Sequence, residues 1–200
     1  MTEVSIVIST FGDHAIWDEL AERAEASARA QTVPCEVIRF HGESLAQTRN
    51  RGVELAHGSW IVVLDADDQL GPSYVKDMLK ASGDVRFPMI TRLYADGHSV
   101  HRSYKAGHIL TQNFCVVGSM VRRTDFLRVG GFDEEWPMFE DWTLFIKLWL
   151  EGLDFQPSTA VYIAHDRPRS RNKQYALIAP TYDAIRAKYI PLAKAKGLAV

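Results

Sequence analysis

The spacing of apolar positions changes along this chain, and each change marks an element. Val4-Ser5-Ile6-Val7-Ile8-Ser9 is β-branched and almost continuous, the pattern of a central strand covered on both faces. After Thr10-Phe11-Gly12-Asp13, the residues Trp17, Leu20, Ala21, Ala24 and Ala28 recur at helical spacing, with Glu19, Glu22, Arg23, Glu25 and Arg29 on the opposite face. Cys35 to Phe40 predicts a second strand, Leu45 to Ala56 a second helix, and Trp60 to Leu64 a third strand. Two strand-helix units leading into a third strand imply right-handed parallel crossovers and a Rossmann-like α/β half.

Beyond residue 70 the pattern is less regular. Gly71-Pro72-Ser73 opens a short helix through Tyr74, Val75, Met78 and Leu79. Val85 to Val121 alternates short apolar runs (Val85 to Phe87, Ile90 to Tyr94, Cys115 to Val117) with turn residues, which predicts mixed or antiparallel strands. A helix from about Arg123 runs into Gly130-Gly131, and an amphipathic one through Trp142, Phe145, Ile146, Trp149 and Leu150 stops at Gly152. Val161 to Ala164 is a late strand ending at His165, followed by the basic stretch Arg167 to Lys173. A last helix from about Tyr175 to Tyr189 closes the chain, with a kink or break expected at Pro180.

The third strand leads straight into Asp65-Ala66-Asp67-Asp68. In open α/β sheets, ligands bind at the C-terminal edge of the strands. Residues two apart on an extended chain share a side, so Asp65 and Asp67 can aim both carboxylates at one point. Oxygen-only ligands suit Mg²⁺ or Mn²⁺, which leave coordination positions open for substrate phosphates. The plainer alternative is an acidic turn, because Asp67-Asp68-Gln69 before Gly71-Pro72 is good turn chemistry.

Composition narrows the partners. The 200 residues suit one well-buried domain, with 46% hydrophobic and 24% charged residues and a formal charge of −2. That balance gives no general electrostatic reason to expect nucleic acid or an anionic membrane. Cys35 and Cys115 lie far apart among apolar neighbours and read as buried thiols. Neither a basic, apolar leader nor a run near the roughly 18 apolar residues of a membrane span is visible, so a cytoplasmic protein without a transmembrane segment is expected.

Four motifs in order carry a resemblance: Ser9-Thr10 on the first strand, Arg49-Asn50-x-Gly52, Asp65-x-Asp67-Asp68, and Gly130-Gly131-Phe132-Asp133-Glu134 followed by Glu140-Asp141. From Val4 to about Gly152 the chain resembles the family 2 glycosyltransferases, inverting enzymes with a GT-A fold. The resemblance implies a mainly parallel central sheet with helices on both faces and a small mixed or antiparallel acceptor-side portion. It also implies one domain over 1–200, with a nucleotide-sugar half over 1–110 and an acceptor and catalytic half over 111–200. The donor would be a nucleotide-diphosphate sugar, the cofactor Mn²⁺ or Mg²⁺, and the acceptor a glycan, a lipid-linked molecule or a small molecule. Oligomeric state is not legible.

Expulsion of a diphosphate calls for a Lewis acid, and an attacking hydroxyl calls for a general base. By resemblance Asp67 ligates the metal, Asp65 holds the ribose or reaches the metal through water, and Asp141 is the base with Glu140 as alternative. Both acids also suit a helix N-terminus through its dipole. Thr10, Phe11 and Asp13 line the loop where the nucleoside should lie, though Phe11 could equally be core. Arg49 could offer a fork of donors to the diphosphate or base. His165 is a candidate late metal ligand, and Arg167, Arg169 and Arg171 are candidates to neutralise phosphate charge; a lone histidine is more often structural and a charge run more often a solvated loop. Two departures matter: Phe40 and His41 stand where the family usually has an acidic pair, leaving the donor base open, and Ser9 replaces the usual proline. The rivals are a nucleotidyltransferase acting on a sugar phosphate, disfavoured because no Gly-rich basic loop follows the first strand, and a non-catalytic nucleotide-sugar-binding module.

Overall fold

The structure, a computed structural model, describes residues 2–103, 108–167 and 173–200. Strand β1 (Val4–Phe11) is buried along nearly its whole length and pairs in parallel with β2 (Glu36–Gly42) on one side and β3 (Trp60–Asp65) on the other. Removing such aliphatic side chains from water is worth about 1.5–3 kcal/mol each, which is why the continuous apolar runs sit here. Helix α1 (His14–Arg29) connects β1 to β2, and α2 (Leu45–Leu55) connects β2 to β3. The two crossovers travel in opposite directions along the sheet, so a common right hand puts the helices on opposite faces. Gly52 brings α2 close to the sheet: a Cβ there would lie 2.4 Å from the Val7 side chain.

The remaining elements are β4 (Gln69–Leu70), α3 (Tyr74–Lys80), β5 (Val85–Leu93), β6 (Ser99–Arg102), β7 (Met120–Arg122), α4 (Arg123–Arg128), α5 (Glu140–Leu150), β8 (Phe155–His165) and α6 (Tyr175–Ala195). They extend the same sheet in the order β2-β1-β3-β7-β5-β8-β4, with β6 on β5. Pairing is parallel at β5-β8 and antiparallel at β3-β7, β5-β7, β5-β6 and β4-β8. The expected α/β architecture with a mixed portion is therefore present, and strands from both halves of the sequence interleave. The parallel arrangement aligns the C-terminal ends of β1, β2 and β3 at one edge.

Three boundaries differ from expectation. Cys115 to Val117 is not a strand; Cys115 and Val117 are apolar because they are buried in the core, and the paired segment is β7, a few residues later. Strands β5 and β8 are longer than their apolar runs indicate. Their register shifts between Phe87 and Met89, where Pro88 and Pro157 sit, and prolines break a strand pattern while being tolerated at such irregularities. Helix α6 continues through Pro180 and Pro191 to Ala195 rather than ending at Tyr189.

Candidate active site

Strand β3 delivers Asp65 to the edge, and a turn closed by Asp68 N–H donating to the Asp65 carbonyl (3.0 Å) folds the next acids back over it. One oxygen each of Asp65, Asp67 and Asp68 then lies within 4.8 Å of the others, with Asp68 the most enclosed. Burial and the Asp65 charge raise the Asp67 carboxyl above its ordinary range, against the pull of Arg167, whose Nη1 lies 3.2 Å away. Burial, Asp65 and Asp67 raise Asp68 further, although the His165 N–H donates to it at 2.8 Å. Tyr162, buried beneath the cluster, accepts from Asp65 N–H at 3.3 Å. Its phenol is pushed well up by burial and then by Asp68 and Asp65, so it stays protonated. Three crowded carboxylates with oxygen-only donors are a fit for a hard divalent cation, which would relieve the repulsion that raises Asp67 and Asp68.

Arg49, the candidate donor to the diphosphate or base, has its guanidinium engaged by two carboxylates of the protein. Only 2% exposed, it bonds through Nη2 to Asp65 and through Nη1 to Glu140 at 2.7 Å, and its guanidinium lies 5.1 Å from the Phe132 ring centre. Burial opposes its charge, but Asp65 and Glu140 outweigh that and hold it protonated above its ordinary value. Next to it Asn50 clamps the Phe132 backbone, donating to its carbonyl at 2.9 Å and accepting from its N–H at 2.8 Å. Gly131, at φ +64°, is what lets this clamp close: a Cβ would stand 2.4 Å from the Asn50 oxygen. Helix α2 thus ties the end of β3 to the start of α5, Arg49 reaching a partner 91 residues along the sequence.

At that start, Phe139 holds a left-handed backbone (φ 65°), a strained conformation for a large side chain and one that clusters at functional sites. Glu140 is buried against Arg49, whereas Asp141 remains partly exposed. Burial and then Glu140 push the Asp141 carboxyl up to about 6, with Arg49 pulling the other way. It accepts from Trp142 N–H at 2.7 Å, and Asn113 Nδ2 lies 3.5 Å from both its oxygens. Asn113 and Tyr162 carry no motif and were not foreseen; only their contacts reveal them.

On the nucleoside side, Thr10 Oγ1 meets His41 Nδ1 at 3.0 Å, so the C-terminal ends of β1 and β2 present a hydroxyl-imidazole pair. Phe11 packs on Trp17 (ring centres 5.4 Å) and lines a cavity of about 310 Å³ with Glu43, Leu45, Trp136 and Glu140. Asp13 caps α1, accepting from Ala15 N–H at 3.0 Å. His165 is not brought into the acidic group: its Nε2 meets Gln69 Oε1 at 2.9 Å. Burial, then Arg23, lowers its pKa. Arg169 and Arg171 lie outside the described residues.

Residues 12–126 match glycosyl transferase family 2, more than half of the chain. The chain belongs to that family. EpsH of Bacillus subtilis (strain 168), a protein named as a glycosyltransferase, is 32% identical over 85 residues, which is 42% of this chain and 23% of EpsH. The chain therefore spans about a quarter of that relative's length. Among solved structures, S. aureus TarS 1–349 aligns with a TM-score of 0.63 at 16% identity, covering 96% of this chain and 71% of that one. The same fragment in complex with UDP-GlcNAc gives 0.65 at 15% identity, covering 96% and 72%. At those identities the likeness establishes the fold. The family match includes Arg49 and the Asp65 to Asp68 cluster but ends before Glu140 and Asp141. Among the described residues no helix is long and apolar enough to cross a membrane.

Proposed function

We propose that this chain transfers a sugar from a nucleotide-diphosphate sugar to an acceptor hydroxyl with inversion, the donor held at the C-terminal ends of β1, β2 and β3 and the base presented from the start of α5. The observation that carries this reading is the bridge formed by Arg49 between Asp65, on the donor strand, and Glu140, beside the candidate base. It fixes the spacing between the place where a leaving group departs and the place where a nucleophile loses its proton, as a single-displacement reaction requires.

Asp67, with Asp65 and Asp68, would hold a Mg²⁺ or Mn²⁺, which supplies Lewis-acid stabilisation of the departing diphosphate. Thr10, His41 and Phe11, at the C-terminal ends of β1 and β2, would hold the nucleoside. Glu140, buried against Arg49, acts as a positioning residue. Asp141 is the general base: partly exposed, with its carboxyl near 6, it is ionised at neutral pH yet accepts a proton readily. Asn113 orients its carboxylate. Two of the S. aureus TarS 1–349 structures are complexes, one with UDP-GlcNAc and one with UDP, which makes UDP-sugars the first donors to try.

The test is a pair of variants assayed with a panel of nucleotide sugars. Asp67→Ala should lose Mn²⁺-dependent stabilisation by donor, whereas Asp141→Asn should keep that stabilisation and lose transfer. Unchanged turnover in either variant refutes the assignment, and donor binding without any transfer by the unaltered chain would favour a non-catalytic binding module.

A further inference from the structure

We propose, resting on the transferase reading above, that the β5–β6 hairpin is an anion-binding ribbon and that the acceptor it receives is a phosphorylated saccharide. The registers β5-β6 and β5-β8 place Ile90, Arg92, Val100, Arg102, Tyr162 and Ala164 on one face, because paired residues point to the same side. This is the face on which Tyr162 reaches Asp65. Arg92 stands two residues beyond the Tyr162 rung, about 7 Å further towards the catalytic edge.

Neither the Arg92 nor the Arg102 side chain has a hydrogen bond or ion pair among the described residues, and the residues outside them contain no Asp or Glu. The nearby acids are occupied: Asp96 meets His98 at 2.5 Å, and Asp166 meets Lys173 at 2.8 Å. Two guanidiniums on diagonal positions of one ribbon, with no carboxylate between them, repel each other until an anion is bound. Blunting of a sheet edge would account for Arg102 on β6, but β5 is an inner strand, paired with β6 on one side and β8 on the other, and has no edge at Arg92 to protect. A fork of guanidinium donors suits a phosphoryl group. Beyond Arg92 the stacked rings of Tyr94 and His98, centres 4.1 Å apart, offer a flat surface to the attached sugar. A phosphoryl group held here lies at the same sheet edge as the acidic cluster, and the saccharide attached to it would bring its hydroxyl towards Asp141.

The test is isothermal titration of the full chain saturated with UDP and Mn²⁺, so that the donor site is filled. Glucose 6-phosphate should bind at least tenfold more tightly than glucose and more tightly than inorganic phosphate. Arg92→Gln and Arg102→Gln should each weaken it about tenfold, by loss of charge-assisted bonds, and leave the thermal shift caused by UDP and Mn²⁺ unchanged. Arg128→Gln, on α4, should alter nothing. Equal affinity for glucose 6-phosphate and glucose, equal affinity for inorganic phosphate, or binding unaffected by both ribbon variants overturns the proposal. If UDP and Mn²⁺ do not bind, it is the donor reading that has failed, and the same titration without them still decides the ribbon.

Discussion

Arg49 and Arg167 each meet a carboxylate of the same acidic cluster, on opposite terms. Arg49 is buried, bridges two carboxylates and rests on an aromatic ring, so its flank is fixed before any ligand arrives. Arg167 is about a third exposed and makes one 3.2 Å contact to Asp67. A buried pair that loses one partner strands a charge, while an exposed pair that loses one is re-solvated. The cluster therefore has a rigid wall, which sets geometry, and an adjustable wall, which can exchange a protein cation for a ligand's.

The contrast predicts unequal consequences for the same substitution. Arg49→Met leaves Asp65 and Glu140 without their shared partner and should cost about 3–5 kcal/mol, read from the urea midpoint. Asp141→Asn should lower the transfer rate by about 10²–10⁴ while leaving UDP-induced stabilisation in place. Because the folded carboxyl of Asp141 is raised to about 6, the native state holds that proton more tightly than the unfolded chain does. Ionising it costs stability as pH rises through about 6, and that cost is absent at pH 4. Asp141→Asn should therefore raise Tm at pH 7 and have little effect at pH 4; in the unaltered chain, transfer should climb as pH rises through about 6. Arg167→Met is the smallest change on stability, under about 1 kcal/mol, yet it should tighten Mn²⁺ binding by removing a competitor for Asp67. A large stability loss in Arg167→Met, or none in Arg49→Met, would invert the assignment of the two walls.

What could be read in advance follows the same division. Strands β1 and β3 are buried on both faces, so their apolar runs are continuous and their ends place Thr10 and Asp65 without further information. The elements built after residue 85 answer to tertiary contacts: Cys115 and Val117 are apolar for the core rather than for pairing, and Pro88 and Pro157 hide the length of β5 and β8. Arg49 stood out by motif, but a motif cannot say that its partners are Asp65 and Glu140 rather than a phosphate. Asn113 sits in a loop with no periodicity, and Tyr162 is indistinguishable in sequence from any aromatic residue of a core strand.

Everything proposed for this site depends on Asp65 and Asp67 gripping a cation opposite Asp141. The most direct test is the anomalous difference map of a crystal grown with UDP and Mn²⁺. One manganese peak is expected, bonded to the Asp67 carboxylate, with the diphosphate oxygens facing Asp141 and Arg49 still joining Asp65 to Glu140. A peak bonded elsewhere, or UDP held with no metal at Asp67, would contradict it.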